Sequence, residues 1–119
     1  MKRVRIYIAN ESEFLDPDVY ITIWLPSVPA QGDILFLREK KRKKLEAMAT
    51  KNVDIATKYA YGYMYGKSVD KEYIDESDLK NLSFSDVHWV KDVIFIANSL
   101  FPCIELCNSI ILNELKQPL

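Results

Sequence analysis

One histidine, His88, and two cysteines, Cys103 and Cys107, are the whole supply of imidazole and thiolate metal ligands in this sequence. A structural zinc site commonly takes four such ligands, so no metal is expected. On an extended strand cysteines at this spacing stand about 13 Å apart, outside disulfide reach, whereas a helix would bring them closer. Gly32, Gly62 and Gly66 are the only glycines. They are too scattered for a phosphate-cradling loop, and no cofactor is expected. No apolar run approaches the roughly 18 residues of a membrane span. The basic start is followed only by Ile6 to Ala9 before Asn10 and Glu11, which is short for a secretory signal. The expected location is therefore cytoplasmic, with no membrane partner, and the sequons at Asn10 and Asn81 carry no weight there. A formal net charge of -1 gives no overall attraction to polyanions. Any nucleic-acid or membrane contact must then rest on a local patch.

What is present fits a folded chain. The 119 residues, 49% hydrophobic and 28% charged, suit a single domain over 1–119 with one core. Lys2 to Ala9 alternates, with Val4, Ile6 and Ile8 on one side and Arg3, Arg5 and Tyr7 on the other, which is strand periodicity. Asp16-Pro17-Asp18 is a turn composition. After it Val19, Ile21, Ile23 and Leu25 alternate with Tyr20, Thr22 and Trp24, predicting an antiparallel hairpin. Pro26 and Pro29 remove ladder donors, Gly32 can supply a positive φ, and Ile34 to Leu37 is a short strand at an edge or corner. Val87 to Ala97 and Cys103 to Leu112 read as a final hairpin, although the second run also fits a helix.

Arg38 to Thr50 is rich in helix formers, with Leu45, Met48 and Ala49 as an apolar stripe, and Asn52 stands where a C-terminal cap could be. From Val53 to Gly66 every odd position is β-branched or aromatic: Val53, Ile55, Thr57, Tyr59, Tyr61, Tyr63 and Tyr65. This predicts a strand, against a continued helix in which Gly62 and Gly66 would cost about 1 kcal/mol each. Asp75 to Leu82 can make a short helix with acidic residues in its first turn. The expected fold is α+β, mainly antiparallel, a small barrel or strongly curved sheet with a helix-containing insertion over about 38–84.

The piece LPSVPAQGDIL, followed by Val87 to Phe95, resembles a pattern in small uncharacterised bacterial proteins: an L-P-x-x-P-x-x-G-D turn entering a strand, then a valine- and tryptophan-rich strand. Those proteins resemble SH3-like or otherwise rolled-up β-barrels. The likeness covers about a third of the chain and implies a fold more than an activity. The long segment from Arg38 to Phe84 departs from it, since a compact barrel needs only a hairpin there.

Three functional classes compete. Arg38, Lys40, Lys41, Arg42, Lys43 and Lys44, with Glu39 among them, carry a local charge of +5. Such a run can neutralise phosphates while nearby tyrosines stack on unpaired bases. It can equally be a solvated helix face, or pair with the acidic stretch from Asp70 to Asp86. Tyr59, Tyr61, Tyr63 and Tyr65 suit an interface with a protein partner or a second copy, because a tyrosine ring buries apolar area while its hydroxyl stays bonded. Packing on the domain's own helix is the plainer alternative. An enzyme would need a nucleophile and a base, and His88 with Cys103 or Cys107 is the one conceivable pair. A surface or rim position for His88 is the simpler expectation. No catalytic residue is assigned, and the expected function is a non-catalytic binding or assembly module able to self-associate, with nucleic-acid binding as the alternative.

Overall fold

A computed structural model describes residues 1–10, 15–60, 79 and 82–107. Within them the chain forms β1 (Lys2–Ile8), β2 (Tyr20–Leu25), β3 (Ile34–Phe36), α1 (Glu39–Ala49), α2 (Val53–Ala60), β4 (Val87–Ile94) and β5 (Cys103–Cys107). The strands make one sheet in the order β2-β1-β5-β4-β3, curled into a half-barrel. The α+β, mainly antiparallel, curved architecture expected from sequence is the one found.

The first hairpin follows from its alternation. Val4 lies opposite Ile23 and Ile6 opposite Ile21, so both apolar rows fall on one face. Asp16 accepts the Asp18 N–H at 2.9 Å, the short-range bond that makes Asp-Pro-Asp a turn. Gly32 adopts φ 88° and donates to the Val90 carbonyl at 2.7 Å, where β3 joins β4. Along β4 a register shift falls between Val90 and Asp92, and Val93 then meets Ile104. This bulge lets both halves of the strand keep an apolar side chain on the inner face. One pairing was not anticipated: β1 runs parallel to β5, with Ile6 beside Ile104 and Ile8 beside Leu106. Both strands contribute fully buried rows, as central strands do.

Arg38 to Thr50 is helical as expected, and Leu45 and Ala49 are its buried residues. The strand expected from Val53 onward is replaced by α2 as far as Ala60. The C-cap of α1 is Thr50; the Asn52 N–H still donates to the Ala49 carbonyl at the end of α1 at 3.0 Å, while Asn52 also opens α2. Its side-chain oxygen accepts the Ile55 N–H at 3.2 Å and its carbonyl accepts the Ala56 N–H at 2.9 Å, which starts the helix. Its amide also donates to Asp16 at 2.6 Å, tying the helix start to the first turn. Ile55, Ala56 and Tyr59 then share the inner face, the helical spacing that the odd-position alternation concealed. The stretch from Tyr61 to Gly66, the short helix expected from Asp75 and the run beyond Cys107 lie outside the described residues, Leu79 and Leu82 excepted. The core joins Val4, Ile6, Ile8, Ile21 and Leu35 to Leu45, Ile55, Tyr59, Phe84, Val90, Ile104 and Leu106.

Candidate functional site

Among the described residues the half-barrel leaves two edges, β2 and β3. An edge strand exposes unpaired N–H and C=O groups. β3 is only three residues long and follows Pro29, so it offers little to a partner. β2 is six residues with no proline or charge inside it. Beside it opens a groove of about 950 Å³, walled by β2 on one side and by Phe36, Leu37 and α1 on the other. The Lys41 ammonium reaches across and donates to the Thr22 carbonyl at 3.2 Å. That bond fixes which β2 groups face out. In an antiparallel pair a residue's N–H and C=O point to the same side, so Thr22, and by alternation Tyr20 and Trp24, turn their backbone groups away from β1.

The chemistry of the groove comes from helical spacing. Arg38, Lys41 and Lys44 recur every third residue and line it together with Arg3, while among the described residues Asp18 is the one carboxylate in the lining. Tyr20, Trp24 and Phe36 supply aromatic surface. Trp24 is 59% exposed, and the Arg3 guanidinium stands 5.9 Å from its ring centre. The remaining cations of the run point elsewhere. Arg42 pairs with Asp86 and Lys43 with Glu39 at 2.9 Å, while Lys40 is exposed. Arg42 with Asp86 realises one part of the expected pairing between basic and acidic stretches.

Two expectations change with His88 and Tyr59. His88 is not a surface or rim residue; it is 0% exposed on the inner face of β4. Its Nε2 lies 3.1 Å from the Tyr59 hydroxyl, which also accepts the Ser85 N–H at 2.9 Å. Tyr59 stacks on Phe84, with ring centres 3.9 Å apart and planes 14° from parallel. Burial, with the Arg42 charge second, lowers the His88 pKa to about 4, so the ring is neutral at neutral pH. We assign the Tyr59 hydroxyl as donor to Nε2, which places the imidazole proton on Nδ1. That atom is buried without a hydrogen-bond partner among the described residues. Nearby, Glu46 accepts the Phe84 N–H at 2.7 Å. Tyr59 is thus a core residue, and Tyr61, Tyr63 and Tyr65 lie outside the described residues.

The conceivable histidine and cysteine pair is not assembled. Trp89 lies opposite Cys107 and Ile94 opposite Cys103, so the thiols share the face away from His88. Cys103 and Cys107 are not joined in a disulfide, in line with their spacing on a strand. Sequence reading found the basic run but missed Trp24, Tyr20 and Phe36 as its aromatic neighbours. The signal available was the outward parity of β2, Tyr20-Thr22-Trp24, on a strand short of polar residues. Among the described residues no helix is long and apolar enough to cross a membrane, and no cluster of His, Cys, Asp and Glu gathers to hold a metal. No family model, no curated protein and no solved structure matches the chain.

Proposed function

We propose that the protein is a non-catalytic binding and assembly module that takes an extended strand, from a second copy or another protein, along the open edge of β2. The observation that carries this reading is the outward-facing Thr22 backbone beside the groove, with its carbonyl occupied by the Lys41 ammonium. A docking strand would supply a backbone N–H in place of that ammonium, and the freed lysine would pair with an acidic side chain of the partner. Among the described residues the groove sets four cations against one carboxylate, which favours such a partner. The reading also takes the fold as SH3-like, on the turn from Leu25 to Asp33 that enters β3.

Thr22→Pro tests it. Proline removes an N–H that points away from β1, so the ladder with β1 survives while the docking edge loses a donor. Light scattering across a concentration series should show the mass of the wild type rising and that of Thr22→Pro staying monomeric. A wild type that is monomeric throughout overturns self-pairing. Equal association of the two proteins overturns β2 as the docking line.

The groove lining favours one second reading, an unpaired nucleic-acid strand with phosphates on Arg38, Lys41 and Lys44 and bases on Trp24 and Phe36. A labelled single strand should then bind at low salt. Arg38→Gln and Lys44→Gln should each reduce the slope of log affinity against log salt by about 0.7. Absence of binding at low salt removes this reading and leaves the first intact.

A further inference from the structure

We propose that the loop joining β4 to β5 docks the protein on an anionic lipid surface. Phe95, Ile96 and Leu100 stand at the tip of this loop at 73%, 52% and 88% exposure, so their side chains project into solvent. The tip is ordered by its own bonds. Asn98 takes φ 67°, the Ser99 N–H donates to the Ile96 carbonyl at 3.0 Å, and the Ser99 hydroxyl donates to the Phe101 carbonyl at 3.0 Å. Three exposed apolar side chains on a tight, internally bonded turn bury nothing of the described core.

Their surroundings select the partner. Because β1 runs parallel to β5, the start of β1 lies at the same end of the sheet as this loop. Lys2 and Arg3 share one hollow of about 490 Å³ with Phe95 and Leu100. Arg5 shares another, of about 430 Å³, with Ile96 and Leu100. Among the described residues no carboxylate lines either hollow. The Phe101 ring holds the Arg3 guanidinium at 4.9 Å from its centre, while that of Arg5 lies 5.7 Å from Phe101 and 4.9 Å from Tyr20. An apolar tip flanked by the three cations of β1 matches a bilayer with anionic headgroups: the apolar side chains enter the acyl boundary and the cations stay among the phosphates. A protein strand needs an unpaired backbone edge, which this turn lacks. The net charge of -1 is compatible with this, because the attraction is local. No spanning segment is involved. Arg3 and Trp24 line both the larger hollow and the groove beside β2, whereas Phe95, Ile96 and Leu100 line only the hollows at the tip, so changes at the tip test this reading alone.

Sedimentation of the full chain with phosphatidylcholine vesicles, with and without phosphatidylserine, tests the proposal. Binding is expected only with phosphatidylserine, and it should weaken as salt is raised. Leu100→Glu and Phe95→Glu change exposed side chains, so circular dichroism should show both folded. Each should bind at least about tenfold more weakly, since each places a carboxylate where an apolar group enters the lipid. Lys2→Gln should cost about fivefold. Failure to sediment with phosphatidylserine at low salt overturns the proposal. So does wild-type affinity of both glutamate variants, which would reduce the contact to nonspecific charge. Chain association that Leu100→Glu abolishes, without vesicle binding, would assign the tip to a second copy and overturn it as well.

Discussion

Tyr59→Ala is expected to lower stability by about 3 to 5 kcal/mol, the range for emptying a buried aromatic site. The ring is 2% exposed, stacks on Phe84 and reaches from α2 to β4. Removing it leaves a cavity between helix and sheet and breaks the contact that fixes α2. Tyr59→Phe separates packing from bonding. It keeps the ring and deletes only the hydroxyl, stranding the Ser85 N–H and the His88 Nε2. Two buried groups left unpaired should cost about 1 to 3 kcal/mol, close to the alanine loss at the upper end. Chemical denaturation of the three proteins measures both. Against a typical total of about 5 to 15 kcal/mol, the alanine variant should be partly unfolded or nearly so. A phenylalanine variant with the wild-type midpoint would remove the hydroxyl from the account. An alanine variant within about 1 kcal/mol of wild type would remove the ring from the core.

Tyr59 also shows where the sequence was legible and where it was not. In β1 and β2 the aliphatic residues keep to one face, although Tyr7 is buried on the other, so Val4, Ile6, Ile21 and Ile23 wrote a two-residue period from which the hairpin could be read. Around Tyr59 two periods coexist. Val53, Ile55, Thr57 and Tyr59 alternate, while Ile55, Ala56 and Tyr59 also recur as one helical stripe. The choice rests on bonds that composition does not display: the Asn52 side chain on the Ile55 N–H, and a tyrosine hydroxyl meeting a histidine that follows it by 29 residues. β-propensity gave way to a cap and a tertiary contact. The parallel union of β1 with β5 was illegible for a related reason, because periodicity tells which face a strand buries and not which strand lies beside it.

The groove divides in the same manner. Its charge was visible in Arg38 to Lys44. Once α1 is placed, helical spacing explains why Arg38, Lys41 and Lys44 share the groove while Arg42 turns toward Asp86. Its aromatic wall was hidden, because Trp24 and Phe36 lie on two strands that meet only when the sheet curls. The tyrosine run drew attention by its repetition, yet Tyr59 entered the core. Repetition of a residue type records composition, and exposure is decided by the partners that the fold supplies.

Acidification should destabilise the protein between pH 6.5 and about 4, through His88. In the unfolded chain the imidazole titrates near 6.5, whereas in the folded protein burial holds it to about 4. Above the higher value both states are neutral and His88 adds no pH dependence. Between the two the unfolded chain binds a proton that the folded one refuses, so stability falls with decreasing pH by up to about 1.4 kcal/mol per unit. Below the lower value both are protonated and the loss stops, at roughly 3 kcal/mol. The groups facing the ring support this sign. Arg42 is cationic, Tyr59 offers a hydroxyl proton, and no carboxylate is hydrogen-bonded to the imidazole among the described residues. As His88 is the only histidine, the upper part of this window belongs to it alone. Denaturation midpoints across the window should decline for the wild type. They should be flatter for His88→Gln, whose own starting stability is lower because the Tyr59 hydroxyl loses its ring partner. An equal decline in both proteins, or an imidazole resonance in the folded protein that titrates near 6.5, would show that the ring takes its proton without unfolding and would assign the acid sensitivity to the carboxylates.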